Sequence, residues 1–320
     1  MSIQMETARS VERKTGQLYG EFWHHYDDVL FTESVGLLER RWRANGEPPD
    51  FFQGKRCLDA GCGGGRYTIA MASMGAASVV GMDVSESGLA DAALRAEAFG
   101  VDNVTFRQGS VLDLPFDDGE FDFVLCSGIL HHTPGVERGL RELRRVLRPD
   151  GSLFLLFYGE GGLYWALNFL MRPVAEVLGH AEVDRCITAA GLPANRRRTV
   201  LDHLFCPILE TYTPERVDFL LRETGFRSWR RWNEAQLDHE ASPERLVEEL
   251  RMYADLWKAG LAEASEDAAP LERRLAEASD VAVATGEELI DRGRRGLLSP
   301  EAVRRAVIGT GHVRLIAELR

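Results

Sequence analysis

The stretch Cys57-Leu58-Asp59-Ala60-Gly61-Cys62-Gly63-Gly64-Gly65 decides how this chain is read. Residues 57–60 form a short apolar run of strand character. It leads straight into glycines, and residues 67–74 after them read as a helix closed by Gly75. Glycine lacks a Cβ, so at a strand-to-helix turn it adopts backbone angles other residues resist and lets a ligand come close. In a parallel α/β sheet such a turn lies at the carboxyl ends of the strands, where nucleotide-like ligands sit. A glycine turn that binds nothing is the plain alternative, and the surrounding sequence decides between them.

Downstream the same alternation continues. Residues 78–82 read as a second strand ending in Asp83, 88–99 as a helix stopped by Gly100, 104–108 as a third strand and 121–126 as a fourth. Residues 137–147 read as a helix with Arg148, Pro149, Asp150 and Gly151 as its exit turn, and 152–158 as a fifth strand. Strands separated by helices of this length predict a parallel sheet with right-handed crossovers. Upstream, residues from about 7 to 45 look helical. Leu18, Phe22, Tyr26, Val29 and Leu30 recur at three- and four-residue spacing, as one helix face would. Asn45, Gly46, Pro48 and Pro49 end that segment.

After Tyr158 the regularity lapses into an apolar, aromatic and then basic stretch. Thr213 and Pro214 suit an N-cap and first helical position for a helix over 214–223, ended by Gly225. Residues 226–232 read as a sixth strand. Residues 241–308 read as several helices, with Ser299-Pro300-Glu301 opening one over 302–307. Val313, Leu315 and Ile316, interleaved with Arg314, predict a seventh strand pairing back on the sixth. The expected organisation is a helical cap over 1–50 and a nucleotide-binding core over 51–158. An apolar insertion or lid follows over 159–204, then continued core over 205–240, a helical insertion over 241–308 and the final strand over 309–320.

Composition narrows the function. The chain of 320 residues has 45% hydrophobic and 28% charged residues, an ordinary globular balance. Its net charge of −12 argues against nucleic acid as partner, because binding a phosphate backbone needs basic faces. None of the five cysteines forms a C-x-x-C pair, so neither a zinc site nor a disulfide framework is expected. The polar start MSIQMETARSVERKTGQ lacks an apolar signal core, and no apolar run reaches the ~20 residues that span a bilayer. The expectation is a cytoplasmic protein without membrane contact.

Asp83 follows the glycine turn by roughly two dozen residues, at the end of Val79-Val80-Gly81-Met82. A carboxylate there can accept hydrogen bonds from ribose hydroxyls. The alternative is an aspartate that caps the helix after Val84 and Ser85. The runs CLDAGCGGG, GMDVSESGL, GSVLDLPFDDGEFDFVLCSGILHHTP and LRRVLRPDGSLFL, in this order and spacing, resemble the class I S-adenosylmethionine-dependent methyltransferases. The resemblance covers about 55–158, is weaker at 205–232 and says little elsewhere. It implies a doubly wound, mostly parallel seven-stranded Rossmann-like sheet with a reversed final strand. It further implies that Asp59, Gly61, Cys62, Gly63 and Gly65 surround the methionine and ribose of S-adenosyl-L-methionine. Asp83 would hold the ribose hydroxyls, Val84 would pack on the adenine, and Ser110 and Val111 would lie along the adenine edge. Ser127 and Gly128 would face the methionine. Many similar enzymes carry an acid where this chain has Ser110, whose hydroxyl can still meet the adenine amino group. A nicotinamide dehydrogenase is the competing fold-level reading, but its G-x-G-x-x-G spacing is absent here.

His131 and His132 follow the fourth strand. Histidine titrates near neutrality, so either is a candidate general base, with plain packing against the cofactor as the alternative. Gly128 and His131 stand where a metal-using relative carries acids, so no metal is expected. Tyr26, Tyr158, Tyr164 and Trp165 are candidate substrate-binding residues, with helix-core packing as the other reading. Arg196, Arg197 and Arg198 are either an anion clamp or a solvated face. The expected activity is methyl transfer to an O, N or C atom of a small molecule, yielding S-adenosyl-L-homocysteine. Elimination or cyclisation of the cofactor's aminobutyryl arm is an alternative. A non-catalytic module is another, with the 241–308 helices as a candidate homodimer surface.

Overall fold

A computed structural model describes residues 3–232 and 241–319. Residues 233–240, expected within the continued core, lie outside the described residues, as do the two first residues and the last. The chain divides into two compact units. The first holds Met1–Tyr158, Pro207–Glu234 and Val313–Arg320; the second holds Gly159–Cys206 and Ala235–His312.

The first unit is built on one seven-stranded sheet. Its strands are β1 (Arg56–Ala60), β2 (Ser78–Asp83), β3 (Val104–Gln108), β4 (Phe121–Ser127), β5 (Leu147–Phe157), β6 (Ser228–Arg231) and β7 (Val313–Glu318). The spatial order is β3-β2-β1-β4-β5-β7-β6. The pairs from β3 through β5 are parallel, and β7 runs antiparallel to both β5 and β6. The order reverses between β1 and β4, where ligands of open α/β sheets bind. The expected Rossmann-like sheet with a reversed strand is therefore present. Helices cover both sheet faces, so the central strands carry near-continuous apolar runs. Leu58, Val124, Leu153 and Leu315 are all fully buried in one core.

Crossovers of the first unit are α3 (Arg66–Ser73), α4 (Glu86–Ala98), α5 (Val136–Val146) and α9 (Pro214–Glu223). Side-chain caps set the starts of α4 and α9. Ser85 accepts the Gly88 amide and Thr213 accepts the Arg216 amide, each cap contributing about 1 kcal/mol. Ahead of the sheet lie α1 (Ile3–His24) and α2 (Asp28–Ala44). Trp42 of α2 sits fully buried among Phe51, Phe52, Phe123, Phe154 and Trp232, with ring centroids 4.8–6.1 Å away. Trp232 Nε1 donates to the buried Glu47, which also pairs with Arg230.

Two expectations are corrected. The helix face expected from Leu18 through Leu30 does not continue: the chain breaks over 25–27, Asp27 caps α2 by accepting the Leu30 amide, and Val29 is 70% exposed. The expected exit turn Arg148-Pro149-Asp150-Gly151 lies inside β5. Pairing jumps from Phe121↔Leu147 to Phe123↔Ser152, so these residues bulge from a strand that starts earlier.

The second unit is helical among its described residues: α6 (Gly162–Leu178), α7 (His180–Ala189), α8 (Ala194–Phe205), α10 (Pro243–Gly260), α11 (Ala269–Arg294) and α12 (Pro300–Val307). Its two chain segments meet at glycines. A Cβ on Gly159 would overlap the Gly311 carbonyl, and the Thr310 amide donates to the Glu160 carbonyl at 2.9 Å. Arg196 pairs with Glu249 and Arg197 with Asp184, all within this unit, so these two arginines are held in ion pairs and do not form a free clamp. Among the described residues, no helix is long and apolar enough to cross a membrane.

Candidate active site

Register places the glycine turn. Ala60 pairs with Met82, so the chain leaving β1 and Asp83 ending β2 emerge side by side. Gly61, Gly63 and Gly65 have φ of 85°, 54° and 80°, angles that side chains disfavour. The Gly61 and Cys62 amides both donate to the Met82 carbonyl, at 2.7 and 2.9 Å.

Asp83 organises this turn. Its Oδ2 accepts the Gly63 amide at 2.8 Å and its Oδ1 the Ser85 amide at 2.9 Å. The cap of α4 is Ser85, so the helix-capping alternative for Asp83 is replaced by a tie between turn and strand. Each carboxylate oxygen keeps another lone pair for a hydroxyl donor. Burial pushes the Asp83 carboxyl above its ordinary range, opposed by the amides of Ser85, Gly63 and Val84. Asp59 lies deeper, and its Oδ2 accepts Thr68 Oγ1 at 2.8 Å. Burial pushes this carboxyl up to about 7, against the Thr68 hydrogen bond and the charge of Arg66. Burial, with Asp59 and Asp83 nearby, also keeps the Cys62 thiol protonated, which removes it as a nucleophile.

Helix α1 runs along this row of positions. Glu12 accepts the hydroxyl of Ser110, whose oxygen also accepts the Leu112 amide at 3.1 Å. Gly16 sits against Val84, and a Cβ on Gly20 would run into the hydroxyls of Ser85 and Ser87. Trp23 covers Gly63 and Gly64. Val111 is buried, while Ser127 is half-buried at the end of β4. Gly128 follows it with φ of 80°. Glu12 and Trp23 were not assigned roles as individual site residues by sequence. Trp23 belongs to the aromatic stripe Tyr19, Phe22, Trp23 and Tyr26, which sequence marks as either a cover over the cofactor or core packing, whereas nothing local marks Glu12.

His131 and His132 end a single 3-10 turn, Leu130–His132, after β4, and both are buried. His132 Nδ1 lies 2.8 Å from the Ile208 carbonyl oxygen. That bond puts the proton of the neutral ring on Nδ1 and the basic lone pair on Nε2. Tyr158 packs against His131 with ring centroids 4.1 Å apart and planes tilted by 45°, and Tyr19 of α1 reaches His132 at 5.8 Å. Thus Tyr158 and both histidines come together. Tyr26 is buried against Trp23, and its carbonyl accepts Arg95. Tyr164 and Trp165 belong to the second unit, where they are 2% and 3% exposed. The Tyr164 hydroxyl meets His203 Nδ1 at 3.0 Å, and Tyr253 donates to Asn168 Oδ1 at 2.9 Å in the same buried network.

Residues 58–155 match the family described as "Methyltransferase domain". Over 154 residues the chain is 37% identical to the 27-O-demethylrifamycin SV methyltransferase of Amycolatopsis mediterranei, covering 46% of this chain and 56% of that protein. Over 141 residues it is 30% identical to the ubiquinone biosynthesis O-methyltransferase of Acinetobacter baumannii, covering 43% of this chain and 57% of that one. The chain spans about half the length of the curated relatives it matches. Among solved structures, the [4+2]-cyclase SpnF aligns with a TM-score of 0.47 at 19% identity, over 88% of this chain and 79% of that one. The matched segment is a class I S-adenosylmethionine-dependent methyltransferase domain. The site's residues fit that cofactor. Asp83 retains acceptor capacity at the turn, and the buried Trp23 Nε1 beside it has no partner among the described residues.

Proposed function

We propose that this chain transfers a methyl group from S-adenosylmethionine to an O, N or C atom of a small molecule. The observation that carries this reading is the Gly63–Asp83 hydrogen bond. It holds the glycine turn against the end of β2 inside the segment that matches the methyltransferase family. The bound sulfonium would supply an already activated methyl group. The chain's task is then to hold donor and acceptor in line and to exclude water. Asp83 would receive the ribose hydroxyls, Val84 and Val111 would enclose the adenine, and Ser127 would face the aminoacyl arm. Tyr26 and Tyr158 remain candidate substrate contacts in the first unit, Tyr164 and Trp165 in the second.

His132 is the better placed of the two histidines to take a proton from a hydroxyl acceptor. The Ile208 carbonyl fixes its tautomer, leaving Nε2 basic. Binding is tested by thermal unfolding with S-adenosylhomocysteine and, separately, with NADH. A ligand at 100 times its dissociation constant adds about 2.7 kcal/mol to the folded state. A shift with S-adenosylhomocysteine alone supports the reading, and a shift with NADH alone refutes it. Product analysis then separates methyl transfer, which releases S-adenosylhomocysteine, from loss of the aminobutyryl arm, which releases methylthioadenosine.

A further inference from the structure

Trp42 carries a donor that the described fold leaves unused. The residue is 1% exposed, and its Nε1 has no hydrogen-bond partner among the described residues. A buried N–H left without an acceptor costs about 1–3 kcal/mol. The indole is crowded by the rings of Phe51, Phe52, Phe123, Phe154 and Trp232, and a ring face is a weak acceptor. Glu47 already takes Trp232 Nε1 and Arg230.

Trp42 also lines a cleft of about 410 Å³ between α2 and the carboxyl end of α3, a size that suits a small organic ligand. The buried Val35 and Ala70, with Pro49 and Met74, give it apolar walls. Its other acceptors are turned to different uses. Glu39 is exposed and paired with Arg43 at 2.6 Å. Gln53 is exposed, and its Oε1 lies against Gly75, where a Cβ would run into it. The cleft is also remote from the glycine turn. Gly65 precedes α3 at the carboxyl edge of the sheet, whereas Ser73 and Met74 end that helix at the amino edge, ahead of β2. The eight residues of α3, about 12 Å of helix, lie between the two places.

We propose that this cleft is a second ligand site, which takes an uncharged, flat, largely apolar molecule whose carbonyl oxygen accepts the Trp42 N–H. Charge selects against the alternatives. An anion would give up its hydration among apolar walls, beside the buried Glu47 carboxylate that lines the same cleft. A cation has no lone pair to offer an N–H donor. The site stands whether or not the chain transfers methyl groups.

Two bicyclic probes of matching shape test it: 1-indanone, which has the carbonyl, and indane, which lacks it. Each is titrated into isotope-labelled full-length protein while the indole N–H signals of the six tryptophans are followed by NMR, that of Trp42 being assigned through its backbone connectivities. 1-Indanone is expected to move the Trp42 signal saturably. It should bind about two- to tenfold more tightly than indane, the range of one neutral hydrogen bond. In Trp42→Phe, which keeps a ring and removes the donor, the two probes should bind equally. Ser73→Tyr places a bulky group at the exposed rim of the cleft, away from the buried rings. It should weaken both probes, and it keeps the test open should Trp42→Phe not fold. A Trp42 signal that 1-indanone leaves in place overturns the site, and is the result expected if a neighbouring ring holds the N–H. Equal affinities for the two probes in the unaltered chain, a preference for 1-indanone that survives in Trp42→Phe, or unchanged binding in Ser73→Tyr would overturn it as well.

Discussion

Glu12 and Ser110, 98 positions apart, are joined by a hydrogen bond from the serine hydroxyl to the glutamate carboxylate. The resemblance to methyltransferases would place an acid where this chain has Ser110. Here an acid reaches Ser110 from α1 and is held by its hydroxyl. A carboxylate so placed can accept the adenine amino group, which a hydroxyl bonded elsewhere does less well. Glu12→Ala is expected to weaken S-adenosylhomocysteine about tenfold or more, the scale of one hydrogen bond to a charged group. The inosine analogue, which lacks the amino group, should lose nothing. Calorimetry with both ligands checks this, and equal losses would remove Glu12 from the adenine site.

Asp83 is expected to matter for the fold as well as for the ligand. Asp83→Ala leaves the amides of Gly63 and Ser85 without their acceptor. Each such loss costs about 1–3 kcal/mol. Urea unfolding should show a reduced midpoint, and cofactor affinity should fall by about a hundredfold as ribose contacts are lost too. Unchanged affinity in a folded variant would mean that the ribose lies elsewhere.

The acid pair should also impose a pH dependence on stability. Burial holds the folded Asp59 carboxyl at about 7, while in the unfolded chain it titrates near its ordinary value of 3.8. The folded state therefore binds the proton more tightly. Its contribution is most favourable below the unfolded value and is lost as pH rises toward about 7. Asp83 is shifted the same way. Asp59→Asn keeps an oxygen for Thr68 and cannot ionise. Relative to that variant, the unaltered chain should lose stability between about pH 4 and 7. Urea titrations at several pH values test this, and parallel curves for the two proteins would contradict it.

Replacing His132 should separate chemistry from binding. His132→Ala is expected to lower turnover about a hundredfold or more with a hydroxyl acceptor, the usual range for a general base. S-adenosylhomocysteine affinity should move little, because the ring faces Tyr158 and Ile208. Full turnover in the variant would leave His132 a packing role.

Several features of both units could be read locally. The glycine turn, Asp83, Thr213-Pro214 and Ser299-Pro300 carry their structural reasons in their own neighbourhoods, so turn, strand end and caps fell where expected. The break at 25–27 was missed because no glycine or proline marks it, and Asp27 acts only through a capping bond. Arg314 is buried although its strand alternates, because β7 lies between β5 and β6 with both faces covered. What joins residues far apart was not legible. Glu12 with Ser110, Arg196 with Glu249, and the grouping of 159–206 with 235–312 are set by tertiary packing. The same limit applies to Tyr164, whose aromatic character suits a substrate pocket and a buried hydroxyl network equally.

The position of β7 sets a schedule for synthesis. It fills the gap between β5 and β6, yet about 155 residues separate the end of β5 from its start. At roughly 5–20 residues per second, a ribosome needs about 8–30 seconds to produce that interval. Throughout it the backbone groups along β5 have no neighbour on that side, and Leu153 and Leu155 stand beside an open sheet edge. Such an edge invites pairing with another nascent chain. The helical segment made in the interval is thus also a delay, during which the growing protein is most exposed to aggregation and most in need of a chaperone.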